Sequence, residues 1–317
     1  MFARFNRRIR ISACCDRDVE RARRFARQFN VPAVFQDYGQ LLEEAPLDAV
    51  YLAVPHHLHF DMLCRAIARG LPAFVEKPIT RTLAEGEEII VRARESGVPI
   101  GVNYQYRYDR AMYALARGIQ TGYLGTIHAA RLNLPWRREQ GYFTGAAWHA
   151  SLAQAGGGTL LTQGSHLLDA ALWAIGRRPV SAMGYTTRRI FTEVEVEDLA
   201  QGSFELEGGA LLQISSSMVA NPEGALSMEM YGEHGTARYK DKPWSHLQVR
   251  GVSFPRARPP HWGLHAVQRS LEGFRAWIQE GQPYLCPAEQ ALPALAAVEA
   301  VYASARTGQR TVVSFQS

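Results

Sequence analysis

Short apolar runs alternate with amphipathic helical patterns through the first hundred residues of the chain. The apolar runs predict strands at residues 9–15, 31–35, 49–54, 72–75 and 99–103, and the helical patterns predict helices at 18–29, 38–44, 59–69 and 83–95. Strands that alternate with helices at this spacing indicate βαβ units and a parallel sheet. The run at 49–54 is apolar throughout, which is typical of a strand buried on both faces. We therefore predict an α/β domain over residues 1–104.

After residue 104 the pattern changes, and strand-like alternation dominates. Strands are predicted at residues 127–135, 180–188, 199–207, 210–219 and 225–231. Gly208-Gly209 is typical of a hairpin turn, and residues 232–235 give a second turn signal. Two helical patterns, over residues 267–278 and 288–306, close the chain. Residues 105–317 are therefore predicted to form an α+β domain, with a mostly antiparallel open sheet and flanking helices.

Length and composition allow two domains with separate cores, since 47% of the 317 residues are hydrophobic. The chain has no run of about eighteen apolar residues that would span a bilayer. Residues 1–10 lack the apolar segment of a secretory signal. The four cysteines, at positions 14, 15, 64 and 286, have neither disulfide-framework nor zinc-site spacing. We therefore predict a cytoplasmic protein that does not contact the membrane.

The net charge of +5 is concentrated at the start of the chain, where residues 1–30 hold nine arginines against three acidic residues. Such a cluster occurs in nucleic-acid-binding and targeting segments. It also occurs on the solvated face of a helix, and residues 18–29 place five apolar side chains at helical spacing. We favour the solvated helix face and predict no nucleic-acid partner.

The unusual polar residues of the first domain follow its predicted strands, where ligands of parallel sheets bind. They are Asp16, Pro55-His56-His57, Glu76-Lys77-Pro78 and Asn103-Tyr104. Asp16 would either bind the adenosine ribose hydroxyls of NAD or cap the following helix, and the spacing leaves both open. Arg17 would also suit the 2′-phosphate of NADP. No cysteine or carboxylate lies at ligand spacing from the histidines at positions 56, 57 and 59, so we predict no metal site.

Four stretches together resemble the Gfo/Idh/MocA family, named for glucose-fructose oxidoreductase, inositol dehydrogenase and MocA. They are VPHHLH at residues 54–59, VEKP at 75–78, GGGTLLTQGSHLLD at 156–169 and the ending at 297–308. Residues 75–78 resemble the family's EKP motif, whose Lys–Pro bond is commonly cis, and residues 156–169 resemble the pattern GGGxLxDxGxHxxD. The resemblance implies a Rossmann-type dinucleotide-binding domain followed by a substrate-binding and oligomerisation domain.

By this resemblance the chain is an NAD(P)-dependent oxidoreductase that moves a hydride between nicotinamide and a ring hydroxyl or ketone of a sugar, a sugar derivative or a cyclitol. Lys77 would bind the reacting hydroxyl and stabilise alkoxide charge, and His166 would be the acid/base. The cofactor, with NAD slightly favoured over NADP, would contact Asp16, Arg17, Pro55, His56, His59, Glu76, Lys77 and Asn103. The substrate would contact Arg107, Trp136, Arg137, Trp148, Gln163 and Asp169.

The chain departs from the family pattern at two places. The family's catalytic aspartate falls at Thr162, which we keep as a catalytic position although threonine cannot stabilise a histidine as a carboxylate would. The family also begins with a strand, a GxGxxG loop and a helix, whereas here fifteen residues precede Asp16 and the first glycine is Gly39. We therefore expect the first strand and glycine loop to be missing, through a truncation or a mis-assigned start rather than an evolved loss. These 317 residues are expected to bind NAD(P) poorly.

The predicted sheet of residues 180–231 is larger than the predicted helices can cover. In the family such a sheet pairs with its copy in another subunit, which predicts a homodimer or a tetramer of dimers. Arginines beside aromatic residues in segment 136–149 would suit an anionic sugar, or belong to an ordinary packed loop. The alternative function is that of a catalytically inactive, cofactor-free relative that binds a sugar or a protein partner.

Overall fold

Strands and helices alternate through the first domain, as the sequence predicts. The computed structural model describes residues 8–254 and 256–315. The strands are β1 (Ala13–Cys15), β2 (Ala33–Phe35), β3 (Val50–Leu52), β4 (Ala73–Val75) and β5 (Ile100–Val102). Between them lie α1 (Val19–Phe29), α2 (Tyr38–Glu44), α3 (His59–Ala68) and α4 (Leu83–Ser96). Each strand is shorter than the apolar run that predicts it.

Local capping interactions set the bounds of these helices. The Asp18 carboxylate accepts the Arg21 N–H at 3.0 Å and begins α1, so Asp18 rather than Asp16 is the cap. Thr82 and Glu85 form a reciprocal capping box at the start of α4. Gly97 ends α4 with φ 69°, a left-handed conformation that glycine adopts without strain.

The parallel strands of the first domain form two separate sheets. β1 pairs with β2, and β4 lies between β3 and β5. Within residues 8–254 and 256–315, no strand joins β1 to β3, and these two strands do not pair with each other. Residues 1–7, which include part of the arginine cluster, lie outside the described residues.

An eight-stranded sheet forms the second domain. Its strands are β6 (Ile127–Pro135), β7 (Pro179–Thr187), β8 (Leu199–Leu206), β9 (Leu211–Ser217), β10 (Ser227–Gly232), β11 (Thr236–Lys240), β12 (His246–Arg250) and β13 (Thr311–Val312). Their order is β12-β11-β10-β6-β9-β8-β7-β13, antiparallel except between β6 and β9. The strands β6 to β10 and the Gly208-Gly209 turn confirm the sequence prediction. The strands β11 to β13 were not predicted.

Helices cover one face of this sheet and leave the other open. They are α5 (Arg110–Gln120), α6 (Gly141–Thr144), α7 (Leu152–Ala155), α8 (Ser165–Ile175), α9 (Ala266–Glu280) and α10 (Ala288–Thr307). Helices α5, α8 and α10 pack on the sheet. On the open face Tyr185 is 75% exposed and Leu211 is 58% exposed. No helix of the described part of the chain is both long and apolar enough to cross a bilayer.

Helix α9 returns to the first domain and covers the sheet of β3, β4 and β5. The Phe274 ring lies 5.2 Å from that of Phe74 in β4, measured between centroids. The Tyr284 hydroxyl donates to the Val102 carbonyl at 2.9 Å, and the Val102 N–H donates to the Cys286 carbonyl at 3.0 Å. Residues 266–287 therefore pack on the first domain, although the predicted boundary after residue 104 places them in the second.

Candidate active site

Lys77 lies where the two domains meet. It follows β4 in a cis Lys77–Pro78 peptide, and its ammonium donates to the backbone carbonyl of Thr162 in the second domain. Burial lowers the pKa of Lys77 to about 8, and the Glu76 carboxylate opposes this effect. The side chain is therefore a partly buried cation whose charge changes near pH 8.

A π-helical turn over Leu160–Gly164 carries Thr162 and Gln163 into α8. Such turns are rare and occur frequently at functional sites. The Thr162 hydroxyl donates to the Gly158 carbonyl at 2.7 Å, so its hydrogen is used inside the turn. Thr162 contributes its backbone carbonyl to Lys77, which is a different contribution from the side-chain role of the family's aspartate.

His166 stands at the start of α8 in a nearly enclosed position. The rings of Tyr104 and Tyr106 face it edge-on, with centroids 6.0 and 5.6 Å away. Burial, with a smaller contribution from the charge of Lys77, lowers the pKa of His166 well below its ordinary value. The ring is therefore neutral at neutral pH, which is the state that a proton acceptor needs.

Glu197 fixes the glycine motif that precedes this turn. Its carboxylate accepts the N–H of Gly158 at 2.7 Å, the N–H of Leu160 at 2.9 Å and the hydroxyl of Tyr302 at 2.8 Å. A side chain at Gly158 would collide with the Glu197 backbone carbonyl, so glycine is required there. Sequence reasoning missed Glu197, because it lies in an irregular segment far along the chain from the motif that it caps.

Glu76 and Asn103 meet at the carboxyl ends of β4 and β5, as predicted. The Glu76 carboxylate accepts the Asn103 amide N–H at 2.8 Å and also the Tyr51 hydroxyl. The Asn103 side-chain oxygen is buried without a hydrogen-bond partner among the described residues. It is therefore an acceptor available to a ligand in the cleft.

Two histidines after β3 contact backbone carbonyls of neighbouring segments. The His59 ring is fully buried, with Nδ1 2.9 Å from the Pro78 carbonyl and Nε2 3.0 Å from the Val54 carbonyl. Burial lowers the pKa of His59, so the neutral ring donates to one of these carbonyls only. Because the ring is fully buried with a carbonyl facing each nitrogen, the predicted contact of His59 with a cofactor does not fit its position. His56, in the short turn that begins after Pro55, donates from Nδ1 to the Ala155 carbonyl at 2.7 Å. Among the described residues no three His, Cys, Asp or Glu side chains converge as a metal site.

Arg107 and Asp169 form a buried ion pair. The guanidinium binds both carboxylate oxygens, at 2.9 and 2.6 Å, and the two side chains are 2% and 1% exposed. Its remaining N–H groups donate to the Leu285 carbonyl and to the side chain and backbone of Gln290. Because all five donors are occupied, the predicted substrate contacts of Arg107 and Asp169 are corrected to a structural role.

The segment after β6 forms the rim of the site. The Arg138 guanidinium lies 5.1 Å from the Trp136 ring centroid and 3.8 Å from the Glu223 carboxylate. Arg137 is exposed and lies 3.8 Å from Glu139. Both arginines already have acidic neighbours, so their presence alone does not indicate an anionic substrate.

Tyr142 and His149 lie against each other on this rim, beside the predicted Trp148. The Tyr142 hydroxyl is 3.0 Å from His149 Nδ1, and the rings stack at 4.2 Å. Burial lowers the pKa of His149 to about 4, and the charges of Lys77 and Arg138 contribute to this lowering. Gln163, a predicted substrate residue, is buried, and its side-chain oxygen and nitrogen have no hydrogen-bond partner among the described residues. No role was assigned to Tyr142 or His149 from sequence, where only their place between the two motifs was a signal.

The contact of the cofactor with Asp16, Arg17 and Asn103 stays a prediction. Asp16 stands at the end of β1, partly exposed, and accepts the Asp18 N–H at 2.9 Å. Exposed Arg17 follows it, and Asn103 follows β5 in the other parallel sheet. Residues 8–104 contain no glycine-rich turn between a strand and a helix to bind a pyrophosphate. The described residues therefore leave phosphate binding unassigned.

Comparison with known proteins agrees with this architecture. Residues 2–104 match the family model described as "Oxidoreductase family, NAD-binding Rossmann fold", and residues 112–238 match the GFO/IDH/MocA C-terminal domain. D-apiose dehydrogenase of Paraburkholderia graminis is 28% identical over 95% of this chain and 82% of its own length. The 1,5-anhydro-D-fructose reductase of Ensifer adhaerens is 25% identical over 92% of this chain and 87% of its own.

A solved structure has the same fold. The WlbA dehydrogenase of Bordetella pertussis, in complex with NADH and UDP-GlcNAcA, superposes with a TM-score of 0.85. It is 23% identical, and the match covers 96% of this chain and 91% of that one. Matches to both family domains, in the order that the motifs predict, span most of the sequence. The chain therefore belongs to the Gfo/Idh/MocA family of oxidoreductases.

Proposed function

We propose that this chain is an NAD(P)-dependent dehydrogenase that transfers a hydride between nicotinamide and a ring hydroxyl or ketone of a sugar, a sugar derivative or a cyclitol. The observation that carries the proposal is the partly buried Lys77 ammonium, bound to the Thr162 carbonyl across the domain junction. The substrate class is supported by relatives named D-apiose dehydrogenase and 1,5-anhydro-D-fructose reductase.

Lys77 binds the reacting oxygen. An ammonium has three N–H donors, and Thr162 takes one of them, which leaves donors for a hydroxyl or ketone oxygen. When the substrate loses its proton, negative charge develops on that oxygen. A fixed cation in a site that excludes water stabilises this charge more than it would in bulk water.

His166 accepts the proton of the hydroxyl. Its lowered pKa keeps it neutral before the reaction, and Lys77 contributes to that lowering. A bound nicotinamide would supply the hydride acceptor at this site. Asp16 favours NAD, because a carboxylate at the end of β1 suits the ribose hydroxyls and repels a 2′-phosphate.

The test is turnover of a panel of cyclic sugars and cyclitols, with NAD or NADP at a concentration that saturates the wild-type protein despite the weak cofactor binding that we expect. We expect Lys77→Ala and His166→Ala each to lower turnover by about a hundredfold or more while the fold survives. Lys240→Ala, in strand β11, is the matched control and should turn over like the wild type. Wild-type turnover by either site variant would refute the role given to that residue.

Cofactor choice has its own test, calorimetric titration with NAD and with NADP. Asp16→Ala should weaken NAD binding relative to NADP, because the variant loses the ribose acceptor and its negative charge. The expectation that these 317 residues bind NAD(P) poorly stays a prediction, and micromolar NAD binding would contradict it.

The open face of the second-domain sheet supports assembly with another copy. Met183 and Tyr185 of β7 lie beside Ser203 and Gln201 of β8, and Leu211 lies nearby on the same face. Exposed apolar side chains on one broad sheet are typical of interfaces between subunits. We propose a homodimer or a tetramer of dimers. A monomeric mass in light scattering at micromolar concentration would rule this out.

A further inference from the structure

Three consecutive N–H groups begin the helical segment that runs through the π-helical turn into α8, and one residue of another segment binds all three. The Glu197 carboxylate accepts the N–H groups of Gly158 and Leu160. The Glu197 backbone carbonyl accepts the N–H of Thr159, which lies between them, at 3.0 Å. The first N–H groups of a helical segment have no acceptor inside that segment, so external acceptors fix its start. Glu197 therefore sets where this segment begins.

Hydrogen bonds continue from the capped glycine to Lys77. The Gly158 carbonyl accepts both the N–H and the hydroxyl of Thr162, at 2.9 and 2.7 Å. The Thr162 carbonyl in turn accepts from the Lys77 ammonium. Every residue of the π-helical turn is buried, so the turn has little room to shift by itself. The position of the acceptor for Lys77 therefore depends on the start of the segment, where Glu197 binds.

Other elements hold Glu197 in place. Its carboxylate accepts the Tyr302 hydroxyl of α10 at 2.8 Å, and the side chain is nearly enclosed. The next residue, Asp198, is also buried and accepts the N–H groups of residues 189–191. Both carboxylates are therefore fixed points of the second domain, but only Glu197 binds the segment that contacts Lys77.

Resting on the proposed function, we propose that Glu197 is a positioning residue for the reaction, because it fixes the turn whose Thr162 carbonyl holds the Lys77 ammonium. That carbonyl takes one of the three N–H donors of the ammonium and so sets the direction of the other two. In the proposed reaction these two donors bind the substrate oxygen. A misplacement of about 1 Å at a reacting group costs on the order of a hundredfold in rate. Glu197 acts through the turn and needs no contact with the substrate.

Two substitutions separate the reach of the Glu197 side chain from its charge. Glu197→Asp keeps the charge but is one methylene shorter, so it is too short to bind both N–H groups. Glu197→Gln keeps the length and loses the charge. We expect Glu197→Asp to lower kcat by about tenfold with a smaller change in KM, because Lys77 is displaced while the charge is unchanged.

Asp198→Asn is the matched control. It changes the neighbouring buried carboxylate, which binds residues 189–191 instead of the turn, and it should keep the wild-type kcat. A loss of kcat in Glu197→Gln alone would assign the effect to charge and overturn the proposal. An equal loss in Asp198→Asn and Glu197→Asp would overturn it as well, since the effect would then follow from general loosening of this region.

Lysine titration by NMR gives a second readout that needs neither substrate nor cofactor. The chain has three lysines, at positions 77, 240 and 242, so isotope-labelled lysine gives one signal for the site and two internal controls. Unchanged signals of Lys240 and Lys242 in a variant show that the second-domain sheet is intact. The charged and titratable groups around Lys77 are Glu76, Arg138, His56, His149 and His166.

Glu197→Asp should lower the pKa of Lys77 below its wild-type value of about 8, because the ammonium loses the carbonyl that stabilises its charge. Thr162→Val, which removes only the hydroxyl contact with Gly158, is the milder variant and should shift the pKa in the same direction. An unchanged pKa of Lys77 in both variants overturns the proposal, and so does a raised pKa, which would mean that the site has opened to water. If the wild-type chain turns over no cyclic sugar or cyclitol with either cofactor, the proposed function fails, and this titration still decides whether Glu197 positions Lys77.

Discussion

The two parallel sheets of the first domain have strands of equal length but differ in what covers them. Every residue of β4 and β5 is buried, and β4 has a partner strand on each side. Helix α9 adds the Phe274 ring to the face of this sheet, and the segment after α9 binds the backbone of β5. The β1–β2 pair is only partly buried throughout and has a single strand-to-strand ladder.

The residues proposed for the chemistry and the residue proposed for cofactor selection follow strands of different sheets. Lys77 and Asn103 follow strands of the covered sheet, whereas Asp16 follows the two-stranded one. Groups that bind a reacting atom need a fixed geometry, and a side chain on a densely packed element supplies it. We therefore expect the reacting end of the cleft to keep its order when the Asp16 end is perturbed.

The largest expected effect comes from the ion pair that ties the segment after β5 to α8. Arg107→Met leaves the Asp169 carboxylate buried without its partner, and we expect the free energy of unfolding to fall by about 3–5 kcal/mol. The control is Arg21→Met. Exposed Arg21 lies 3.4 Å from partly exposed Asp16 beside the two-stranded sheet, and its replacement should cost less than about 1 kcal/mol. Urea unfolding measures both, and equal losses would contradict the comparison.

Removal of one aromatic ring that packs at each sheet tests the same contrast. Phe274→Ala empties a buried site against Phe74 and should cost about 3 kcal/mol. Phe35→Ala in β2 removes a partly buried ring and should cost about 1 kcal/mol. The same unfolding curves provide the measurement. A larger loss for Phe35→Ala would mean that the two-stranded sheet is the better packed of the two.

Hydrogen exchange tests the difference without any substitution. The amides of β4 are paired inside a three-stranded sheet, whereas β1 has one neighbour strand. Local opening of a two-stranded, partly buried sheet breaks fewer contacts, so its amides should exchange at least about tenfold faster. Exchange followed by mass spectrometry on overlapping peptides resolves the two regions. Equal protection of the β1 and β4 amides from exchange would contradict the difference in burial between the two sheets.

Periodicity in the sequence predicts most of the fold. The first-domain strands and helices all appear, and the helix at residues 267–278 is confirmed as α9. The strands β11 and β12 were missed because residues 236–250 are largely polar, and their pairing depends on β10 rather than on a pattern of their own. The return of α9 to the first domain was also unpredicted, because periodicity shows which face of a helix is apolar but not what covers it.

The candidate site was predictable only where a motif names its residues. The motifs name Lys77, Thr162 and His166, whose catalytic roles stay predictions, and the structure joins Lys77 to the Thr162 carbonyl. The motifs do not show that a carbonyl faces each ring nitrogen of His59 or that Arg107 is occupied by an ion pair, since that depends on partners such as Pro78 and Asp169. Glu197 binds Gly158 and Leu160, which lie far from it in the chain, so the sequence has no local signal for these contacts. The Tyr142–His149 contact is local but belongs to no motif.

The last expected effect concerns the free-energy cost of burying the Lys77 charge next to the covered sheet. Burial lowers the pKa of Lys77 from 10.5 to about 8, so between these pH values the unfolded chain holds a proton that the folded chain has lost. Stability of the wild type should therefore rise from pH 8 to pH 10.5, because the unfolded state binds more protons in that window. Below pH 8 the folded protein carries the full cost of a buried cation.

Lys77→Met removes this cost, and we expect it to be more stable than the wild type at pH 7 by about 1–3 kcal/mol. The gap should close towards pH 10.5, where the folded wild-type side chain is neutral. Lys240→Met, on the second-domain sheet, controls for the change of residue type and should show a constant difference across the same range. Urea unfolding at about pH 7, 9 and 10.5 provides the measurement. A Lys77→Met variant that is less stable than the wild type at pH 7 would contradict this expectation. The contact of Lys77 with Thr162 would then stabilise the fold by more than the burial of the charge costs.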